Sequence, residues 1–578
     1  RSGIEKHTVP GDTIVMVGGK VGKDGIHGAT FSSEALHEGS PVTAVQIGDP
    51  FTQKRVLDFV LEARDANLIS GITDNGAGGL SSSVGEMARI TGGALMELDQ
   101  IPLKYPGLAD YEIVISESQE RMTISTKNFA ELKALADKFN VDCTDVGKFT
   151  TDGLFKITRE SKVVALLDLD FLHKGVPTLE LESEWIEPEV DENVGEEVTD
   201  LKSLLIQILR HPNICSREQV IRQYDHEVQG ASVVKPLMGA TQKGACDAAV
   251  ITPILGEKEG LAVSNGLCPQ LSDYDPYLMA LCAVDEAIRN AVCVGVNPET
   301  LVLLDNFCWP DPVYSERNDR GKIKLAQLVL CCQALAEAVK AYAAPLISGK
   351  DSMKNDFDDG VVRLSIPPTL LVSAMGKVDD VAKAMTMEFK TEGDLIYLLS
   401  AGSLGMTASV IAEILEWDAA SLPNIDIIKA AQMYKELHQA IQNKLVKSAH
   451  DLSEGGLGVA LSESCIGSGL GAMILTHRMA SAAAACIKDT DPLKREMLTR
   501  LDFALFAEGP ARILVTIDPK DREPFEEALK GFSCIELGRV SSDPKLQFLN
   551  VDQKEVFSVE ISTLLSAWEA MLPFDQEG

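Results

Sequence analysis

The fold is decided by Gly11-Asp12-Thr13-Ile14-Val15-Met16-Val17, a short apolar strand signal that recurs as Gly393-Asp394-Leu395-Ile396-Tyr397-Leu398-Leu399. Further matches follow in the same order: Asp74-Asn-Gly-Ala-Gly-Gly-Leu80 with Asp451-Leu-Ser-Glu-Gly-Gly-Leu457, Glu117-Ser-Gln-Glu-Arg121 with Glu508-Gly-Pro-Ala-Arg512, and Gly147 with Gly538. Repetition at so long a spacing indicates two copies of one globular domain and not a solenoid. The first copy has the more polar matched loops, so we expect it to retain the chemistry.

Strand-like and helix-like patterns interleave throughout, which predicts an α/β and α+β architecture. We assign the first copy to residues 1–185, an acidic linker to 186–222, a middle module to 223–380 and the second copy to 381–578. Apolar spacing predicts helices over 51–66, 82–90, 276–293 and 322–342, strands over 14–17, 122–126, 248–252 and 300–305, and a small-residue loop at 480–485.

Composition excludes several classes of partner. Acidic residues number 86 against 53 basic ones, a formal charge of −33. This charge repels nucleic acid and anionic membranes, so we expect neither partner, and a phosphate ligand would need a local pocket. No apolar run approaches the roughly 18 residues of a membrane span. The twelve cysteines contain no C-x-x-C pair, which favours reduced thiols in a cytoplasmic protein.

The first copy carries three polar signals. Its glycine-rich stretch 18–33 offers backbone amides that could hold a phosphate, with His27 as an extra donor; a flexible hairpin is the alternative. Asp74 follows a strand and precedes a helix, a position that suits Mg²⁺, although it could equally cap the helix. Gln46 and Glu117-Ser118-Gln119 supply hydrogen-bonding groups for a polar substrate, and each alone could be structural.

The middle module carries a set of oxygen ligands on separate elements. Asp247 precedes a predicted strand, and Glu286 and Asn290 are four residues apart on a predicted helix and therefore share a face. Asp305 closes an apolar strand, and Ser348-Gly-Lys-Asp-Ser352 combines a carboxylate, a cation and a hydroxyl. Each feature alone is more simply structural. Together they favour a nucleotide held through Mg²⁺.

Three motifs carry a family resemblance: Gly22-Lys-Asp-Gly-Ile-His-Gly-Ala-Thr30, Ser116-Glu-Ser-Gln-Glu-Arg121 and Gly349-Lys-Asp-Ser-Met353. Through them, nearly the whole chain resembles the phosphoribosylformylglycinamidine synthase family of the aminoimidazole ribonucleotide synthetase superfamily. The resemblance implies tandem lobes in the order second lobe, first lobe contributing half of a β-barrel, second lobe. The chain begins at Arg1 and meets a strand almost at once, so we expect a fragment of a longer protein.

The resemblance also implies roles for individual residues. Substrate binding is implied for Gln46, Glu117, Ser118 and Gln119, and His27 lies in the matching glycine loop. Asp74 matches a Mg²⁺ ligand of the catalytic site. Nucleotide contacts are implied for Cys246, Asp305, Gly349 and Ser352, and Mg²⁺ ligands of an auxiliary ATP/ADP site for Asp247, Glu286, Asn290 and Asp351. Lys350 stands where smaller members carry Asn.

The implied reaction is the ATP-dependent conversion of formylglycinamide ribonucleotide and glutamine-derived ammonia to formylglycinamidine ribonucleotide, in purine biosynthesis. The chain lacks the family's lobe with the catalytic His and any glutaminase domain, so both would come from further sequence or another chain. We therefore expect the chain alone to bind nucleotide without catalysing synthesis. Alternatives are a related selenophosphate or thiamine-phosphate kinase-like enzyme, or a non-catalytic nucleotide-binding scaffold.

Overall fold

The computed structural model of the chain describes residues 5–26, 48–188, 195–223, 225, 227–417, 421–485 and 500–570. The chain divides into two compact units. The first unit comprises Arg1–Leu181 and Met353–Ser365, and the second comprises Glu182–Ser352 and Ile366–Gly578. The middle module and the second copy, which we assigned to separate domains, therefore fold as one unit.

The first unit is built on a seven-stranded sheet of order β2-β4-β1-β5-β3-β6-β7, in which only β3 and β6 run parallel. Its strands are β1 (Thr13–Gly18), β2 (Gly71–Asp74), β3 (Ala94–Glu97), β4 (Arg121–Thr126), β5 (Cys143–Phe149), β6 (Leu154–Arg159) and β7 (Lys162–Asp168). Its helices are α1 (Pro50–Asp65), α2 (Gly79–Thr91), α3 (Asp110–Ile115), α4 (Phe129–Phe139) and α5 (Leu169–Lys174).

The central strand β1 is apolar on both faces because both faces of the sheet are covered. Ile14 and Met16 pack into a core with α2, whereas Val15 and Val17 pack into a second core with α1 and α4. This alternation follows from the two-residue period of a strand. The continuous apolar run of the repeat thus specifies a sheet between two layers of helices.

The segment that we predicted as a linker is partly a packed element. It contains α6 (Leu201–Leu209) and α7 (Glu218–Ile221). In α6 the apolar residues recur at helical spacing, and Leu204, Leu205 and Ile208 are buried in the core of the second copy. Only the acidic stretch before α6 has the exposed character that we expected, within the residues described there.

The middle module is an open six-stranded sheet of order β14-β13-β17-β12-β11-β8, with one helix packed against it and a second helix packed against the first. Its strands are β8 (Ser232–Val234), β9 (Leu237–Met238), β10 (Gly244–Ala245), β11 (Ala249–Ile251), β12 (Gly260–Leu267), β13 (Val302–Cys308) and β14 (Leu346–Ser352), then β17 (Thr369–Val378). Strands β9 and β10 form a separate pair. Strands β15 (Phe357–Asp358) and β16 (Arg363–Leu364) form a hairpin that belongs to the first unit. The helices are α8 (Pro276–Cys293) and α9 (Gly321–Ala341).

The second copy repeats the first strand for strand, in the order β19-β21-β18-β22-β20-β23-β24. Its strands are β18 (Leu395–Ser400), β19 (Ser448–Asp451), β20 (Gly471–Leu475), β21 (Arg512–Ile517), β22 (Ser533–Ser541), β23 (Lys545–Leu549) and β24 (Glu555–Glu560). Its helices are α10 (Val410–Leu415), α11 (Ile427–Gln442), α12 (Gly456–Ser468), α13 (Thr476–Ala485), α14 (Leu501–Phe506), α15 (Arg522–Ala528) and α16 (Ile561–Trp568).

The structure confirms the mixed α/β architecture and corrects one local prediction. Residues 480–485 belong to α13 and do not form a loop, because alanine is the strongest helix former and Met479, Ala482 and Ala483 pack into the core. The eleven cysteines that the structure describes are all unbridged. Across the described residues, every helix is too short or too polar to cross a bilayer.

Candidate nucleotide and metal site

A polar cavity of about 210 Å³ lies in the second unit, between α8, the segment joining β10 to β11, and the loop that follows β19. Its lining includes Asp247, Glu286, Asn290, His450, Asp451 and Ser453. The middle module contributes the first three and the second copy the last three. The cavity is therefore formed where two modules of one compact unit meet.

Local sequence signals place these side chains. Helix α8 begins at Pro276, after Asp275 accepts a hydrogen bond from the amide of Leu278 at 2.9 Å. Glu286 and Asn290 then lie one turn apart on the same face of the helix. The apolar strand β19 ends at Asp451, and the following loop leads into α12.

Asp247 is held by a histidine. Nδ1 of His450 lies 2.7 Å from Oδ1 of Asp247, and its Nε2 lies 3.0 Å from Oε2 of Glu463. Burial acts to lower the pKa of His450, but the two carboxylates outweigh it and raise the pKa well above its ordinary value. The imidazolium then donates from both nitrogens and orients the Asp247 carboxylate, as residues beside metal ligands commonly do.

Asn290 leaves an oxygen for a ligand. Its Nδ2 donates to the backbone oxygen of Asn265 at 3.1 Å, whereas its buried Oδ1 has no hydrogen-bond partner among the described residues. In the same cavity, one carboxylate oxygen each of Asp247 and Asp451 and a ring nitrogen of His450 lie within 4.8 Å of one another. An unsatisfied buried acceptor beside carboxylates fits a hard cation such as Mg²⁺, which prefers oxygen ligands.

The cavity concentrates acidic groups. Burial, and then the neighbouring Glu454, raises the pKa of Glu286 to about 8. Burial and then Glu508 raises the pKa of Glu454 to about 7. Burial raises the pKa of Asp247 to about 7 despite the opposing charge of His450. Carboxyl groups crowded in this way ionise together only when a cation compensates them.

The first unit places its own predicted residues around a glycine loop. Oδ1 of Asp74 accepts a hydrogen bond from the amide of Gly76 at 2.9 Å, and Oε1 of Glu117 accepts one from the amide of Gly78 at 3.4 Å. The hydroxyl of Ser118 donates to Asp24. Asp74 is exposed and Glu117 is buried, so the loop carries one carboxylate at the surface and one within.

Asp24 anchors the neighbouring turn. Besides Ser118 it accepts a hydrogen bond from Lys104 at 2.5 Å, and its backbone oxygen accepts one from the amide of Glu117 at 2.9 Å. Burial acts to raise the pKa of Asp24, but Lys104 and Ser118 hold it below its usual value. Arg121, whose pKa burial lowers to about 10, donates to the backbone oxygens of Ser116 and Ser118. These bonds fix the path of the Ser116–Arg121 segment.

Comparison with protein families identifies these modules. Residues 9–160 and 391–549 match the family "AIR synthase related protein, C-terminal domain", and residues 245–378 match "AIR synthase related protein, N-terminal domain". The first family alone accounts for more than half of the chain. The chain belongs to the AIR synthase related protein family. The predicted order of C-terminal, N-terminal and C-terminal domains is confirmed.

Solved structures of other members share the fold of this AIR synthase related protein. Thermotoga maritima PurL complexed with FGAR has a TM-score of 0.61 and 22% identity, covering 93% of this chain and 73% of that chain. The same protein complexed with ATP has a TM-score of 0.58 and 21% identity, covering 93% and 72%. Phosphoribosylformylglycinamidine synthase II from Thermotoga maritima gives the same values as the latter.

Within this AIR synthase related protein, the predicted ligands divide into two groups. Asp247, Glu286 and Asn290, with Cys246 beside them, line the cavity together. The remaining predicted residues instead lie along the edge strand β14 and its neighbour β13: Asp305, Gly349, Asp351 and Ser352. The segment that we took for a ligand-binding loop is a strand, and Asp351 is exposed on it and outside the cavity lining. The structure therefore does not bring Asp351 to the other three ligands.

The cavity lining contains Asp451 and Ser453, and it does not contain Asp351 or Ser352. The hydroxyl of Ser453 lies 2.5 Å from Oδ2 of Asp451 and 3.2 Å from Oε1 of Glu286. The internal repeat could have predicted Asp451 from the sequence, because Asp451 matches Asp74, which was already a candidate Mg²⁺ ligand. His27 and Gln46 lie outside the described residues.

Proposed function

We propose that this chain is the nucleotide- and substrate-binding part of an ATP-dependent ligase, a phosphoribosylformylglycinamidine synthase. The reaction joins ammonia derived from glutamine to formylglycinamide ribonucleotide (FGAR) and yields formylglycinamidine ribonucleotide, ADP and phosphate. Membership of the AIR synthase related protein family supports this proposal, as does the shared fold with Thermotoga maritima PurL. The motif Ser116–Arg121 favours it over the selenophosphate and thiamine-phosphate alternatives.

One observation carries the proposal: the cavity unites five acidic side chains, among them Asp247, Glu286 and Asp451, with the unpartnered Oδ1 of Asn290. Asp247, Glu286, Asn290 and Asp451 would hold Mg²⁺, and Ser453 and the backbone at Cys246 would contact the nucleotide. A bound Mg²⁺ would neutralise polyphosphate charge. The chain's own contribution is to orient Asp247 through His450 and to keep the site enclosed by α8 and α12.

The nucleotide of this cavity is proposed to be held without reacting. In the second copy, Gly509-Pro510 replaces the Ser118-Gln119 pair that we assign to substrate in the first copy. Gly and Pro offer no side-chain hydrogen bonds to a polar substrate. Turnover is accordingly assigned to the first copy, where Asp74 and Glu117 flank a glycine loop, and this cavity supports the assembly by binding ADP or ATP.

The first copy would need a second lobe to complete a catalytic site. The family's lobe with the catalytic His is expected outside these 578 residues, either in the same polypeptide or in another chain. Within the middle module, the edge strand β14 is exposed along nearly its whole length. Among the described residues β14 is the outermost strand of its sheet, and an edge strand readily accepts another strand, so this edge is a suitable place for such a lobe to pair.

Calorimetric titration with MgADP tests nucleotide binding. We expect the wild-type chain to bind, and Asp247→Asn and Glu286→Gln to lose at least about tenfold in affinity, because each removes a charged ligand. Asp552→Asn is the matched control, since it makes the same chemical change on the exposed turn after β23. Equal affinities for all four proteins would contradict the assignment of this cavity.

Thermal unfolding tests the substrate. FGAR should raise the melting temperature of the chain, whereas selenophosphate and thiamine phosphate should not. Ammonia-dependent formation of formylglycinamidine ribonucleotide should be undetectable with the chain alone and should appear when the missing lobe is supplied. Stabilisation by thiamine phosphate in place of FGAR would overturn the substrate, and turnover by the chain alone would overturn the need for another lobe.

A further inference from the structure

A buried cation lies directly behind the candidate metal site. Arg289 stands between Glu286 and Asn290 on α8, and its side chain is 3% exposed. Its Nη2 faces the loop after β19, at 3.3 Å from Oδ2 of Asp451, 3.1 Å from Oγ of Ser453 and 3.4 Å from the backbone oxygen of Leu452. One nitrogen of a helix side chain thus reaches every residue of the Asp451–Ser453 loop.

The other end of the guanidinium is fixed by a fully buried carboxylate. Nη1 of Arg289 donates to Asp285. Asp285 also accepts hydrogen bonds from the hydroxyl of Tyr342 at 2.8 Å, the hydroxyl of Tyr434 at 2.5 Å and the amide of Ala511 at 2.8 Å. These donors come from the C-cap residue of α9, from α11 and from the residue before β21. Three elements therefore hold Asp285, and Asp285 holds Arg289.

We propose that Arg289 is a positioning residue that holds the Asp451–Ser453 loop so that Asp451 completes the divalent cation site with Asp247, Glu286 and Asn290. This role rests on the proposed function of the cavity. The residue acts through Asp451 and Ser453 and does not itself contact the cation. It joins the ligands of the middle module to the ligand of the second copy.

The shape of the guanidinium is what this role requires. Arginine presents two terminal nitrogens in a rigid plane, so that one can bind Asp285 while the other binds the loop. A lysine ammonium is a single point charge and cannot span both partners in the same way. If Arg289 served only to neutralise Asp285, the second nitrogen would need no partners on the loop.

A positioning role and a purely electrostatic role of Arg289 predict opposite changes in cation affinity when the residue is replaced. Removing a positive charge beside a cation site should strengthen cation binding if charge alone matters. Releasing the loop should weaken binding, because one ligand is then no longer held in place. The sign of the change in cation affinity therefore separates the two explanations.

The test is Mn²⁺ binding to the whole chain, measured by electron paramagnetic resonance of free Mn²⁺. The component of binding that Asp247→Asn abolishes defines the site. We expect Arg289→Lys and Arg289→Met to weaken this component by about 10–100-fold, the usual effect of losing a residue that orients a ligand. The double variant D285N/R289M, which removes the charge of Asp285 together with that of its partner, should behave like Arg289→Met even if the single variant folds poorly.

Tyr342→Phe is the matched control. It removes one hydrogen bond to Asp285 but none to the loop, so we expect a lower melting temperature with Mn²⁺ affinity within about twofold of wild type. Wild-type or tighter Mn²⁺ binding by Arg289→Lys and by the double variant would overturn the role of Arg289 alone. Binding that Asp247→Asn leaves unchanged would remove the cation site itself, and with it the basis of this role.

Discussion

The loop after β2 in the first copy and the loop after β19 in the second copy are built from the same parts. In each, a strand ends in an aspartate, two glycines with positive φ begin a helix, and a glutamate accepts a hydrogen bond from the first glycine. The bond is 3.4 Å long from Gly78 to Glu117 and 2.8 Å from Gly455 to Glu508. A side chain at either second glycine would come within 2.7 Å of a backbone oxygen. The repeated sequence therefore preserves a backbone geometry.

What differs is the surroundings of the aspartate. Asp451 lies beside α8, within reach of Arg289 and Ser453, whereas Asp74 is exposed and accepts a hydrogen bond from Gly76. The same loop thus becomes a candidate cation site through the residues of a neighbouring module. The duplicated lobe supplies one half of this candidate site, and the packed middle module supplies the other half.

The two copies also differ in an additional helix that packs against the second copy. Helix α6 packs against α12 and α16 of the second copy, and Leu205 is fully buried next to Phe506 and Gly458. Leu205→Ala should lower the free energy of unfolding of the second unit by about 3–4 kcal/mol, as for other buried leucines. Chemical denaturation measures this decrease in the free energy of unfolding. Leu166→Ala on the first copy, where Leu166 is 56% exposed, should change stability by less than about 0.5 kcal/mol.

A loss of unfolding free energy for Leu205→Ala as small as that for Leu166→Ala would mean that α6 adds nothing to the stability of the second copy. A loss confined to Leu205→Ala would establish α6 as part of that copy's core.

The shared backbone geometry can be tested at matched glycines. In each copy the pairing of β1 with β5, or of β18 with β22, shifts register next to Gly147 or Gly538. A side-chain carbon there would lie 1.9 Å from the backbone oxygen of Leu95 or Met473. Gly147→Ala and Gly538→Ala should each cost about 3 kcal/mol in unfolding free energy, since backbone must move to admit the methyl group. Gly531→Ala, at an open position, is the control. A large difference between the two matched variants would contradict equivalence of the copies.

The functional difference between the copies can be tested at the matched aspartates. Asp451→Asn should weaken MgADP binding by about 100-fold, close to 2.7 kcal/mol, because it removes one of the anionic ligands proposed for Mg²⁺. Asp74→Asn should leave this binding within about twofold of wild type. Calorimetric titration of both variants makes the comparison. Similar losses of MgADP affinity in the Asp451→Asn and Asp74→Asn variants would mean that the nucleotide site does not belong to the second copy.

Much of the fold was accessible from sequence because its signals are local. The apolar run Ile14–Val17 and its repeat predicted buried central strands, and the spacing of 276–293 predicted α8 with the bounds that the structure has. Leu201–Leu209 carried a helical pattern too, yet the acidic stretch before it suggested a linker. The apolar face of that helix is explained only by the core of a domain that begins far downstream.

The candidate site was partly predictable for the same reason. Glu286 and Asn290 belong to one helix, so their proximity follows from spacing alone. The partnership of Asp247 with Asp451 joins residues about 200 positions apart and depends on how the middle module packs against the second copy. We grouped Asp351 with these residues because of the family resemblance, and its pairing with β13 is a long-range contact that a local motif does not predict.

The smallest expected effect concerns Glu508, the counterpart of Glu117. Burial raises the pKa of Glu508 to about 7, from an ordinary value of 4.5. Between these two pH values the folded chain keeps the proton while the unfolded chain has lost it, so the stability contributed by this group falls as pH rises. Glu508→Gln removes the titration, and its unfolding free energy relative to wild type should increase by about 2 kcal/mol between pH 5 and pH 8.

Denaturation of both proteins across this range measures the difference. The amide oxygen of glutamine can still accept the hydrogen bonds that Gly455 and Val410 donate to Glu508, at 2.8 Å and 2.9 Å, so the variant isolates the charge. A difference that stays constant with pH would show that Glu508 ionises in the folded chain as readily as in the unfolded one. The desolvation of the Glu508 carboxyl would then have no electrostatic consequence.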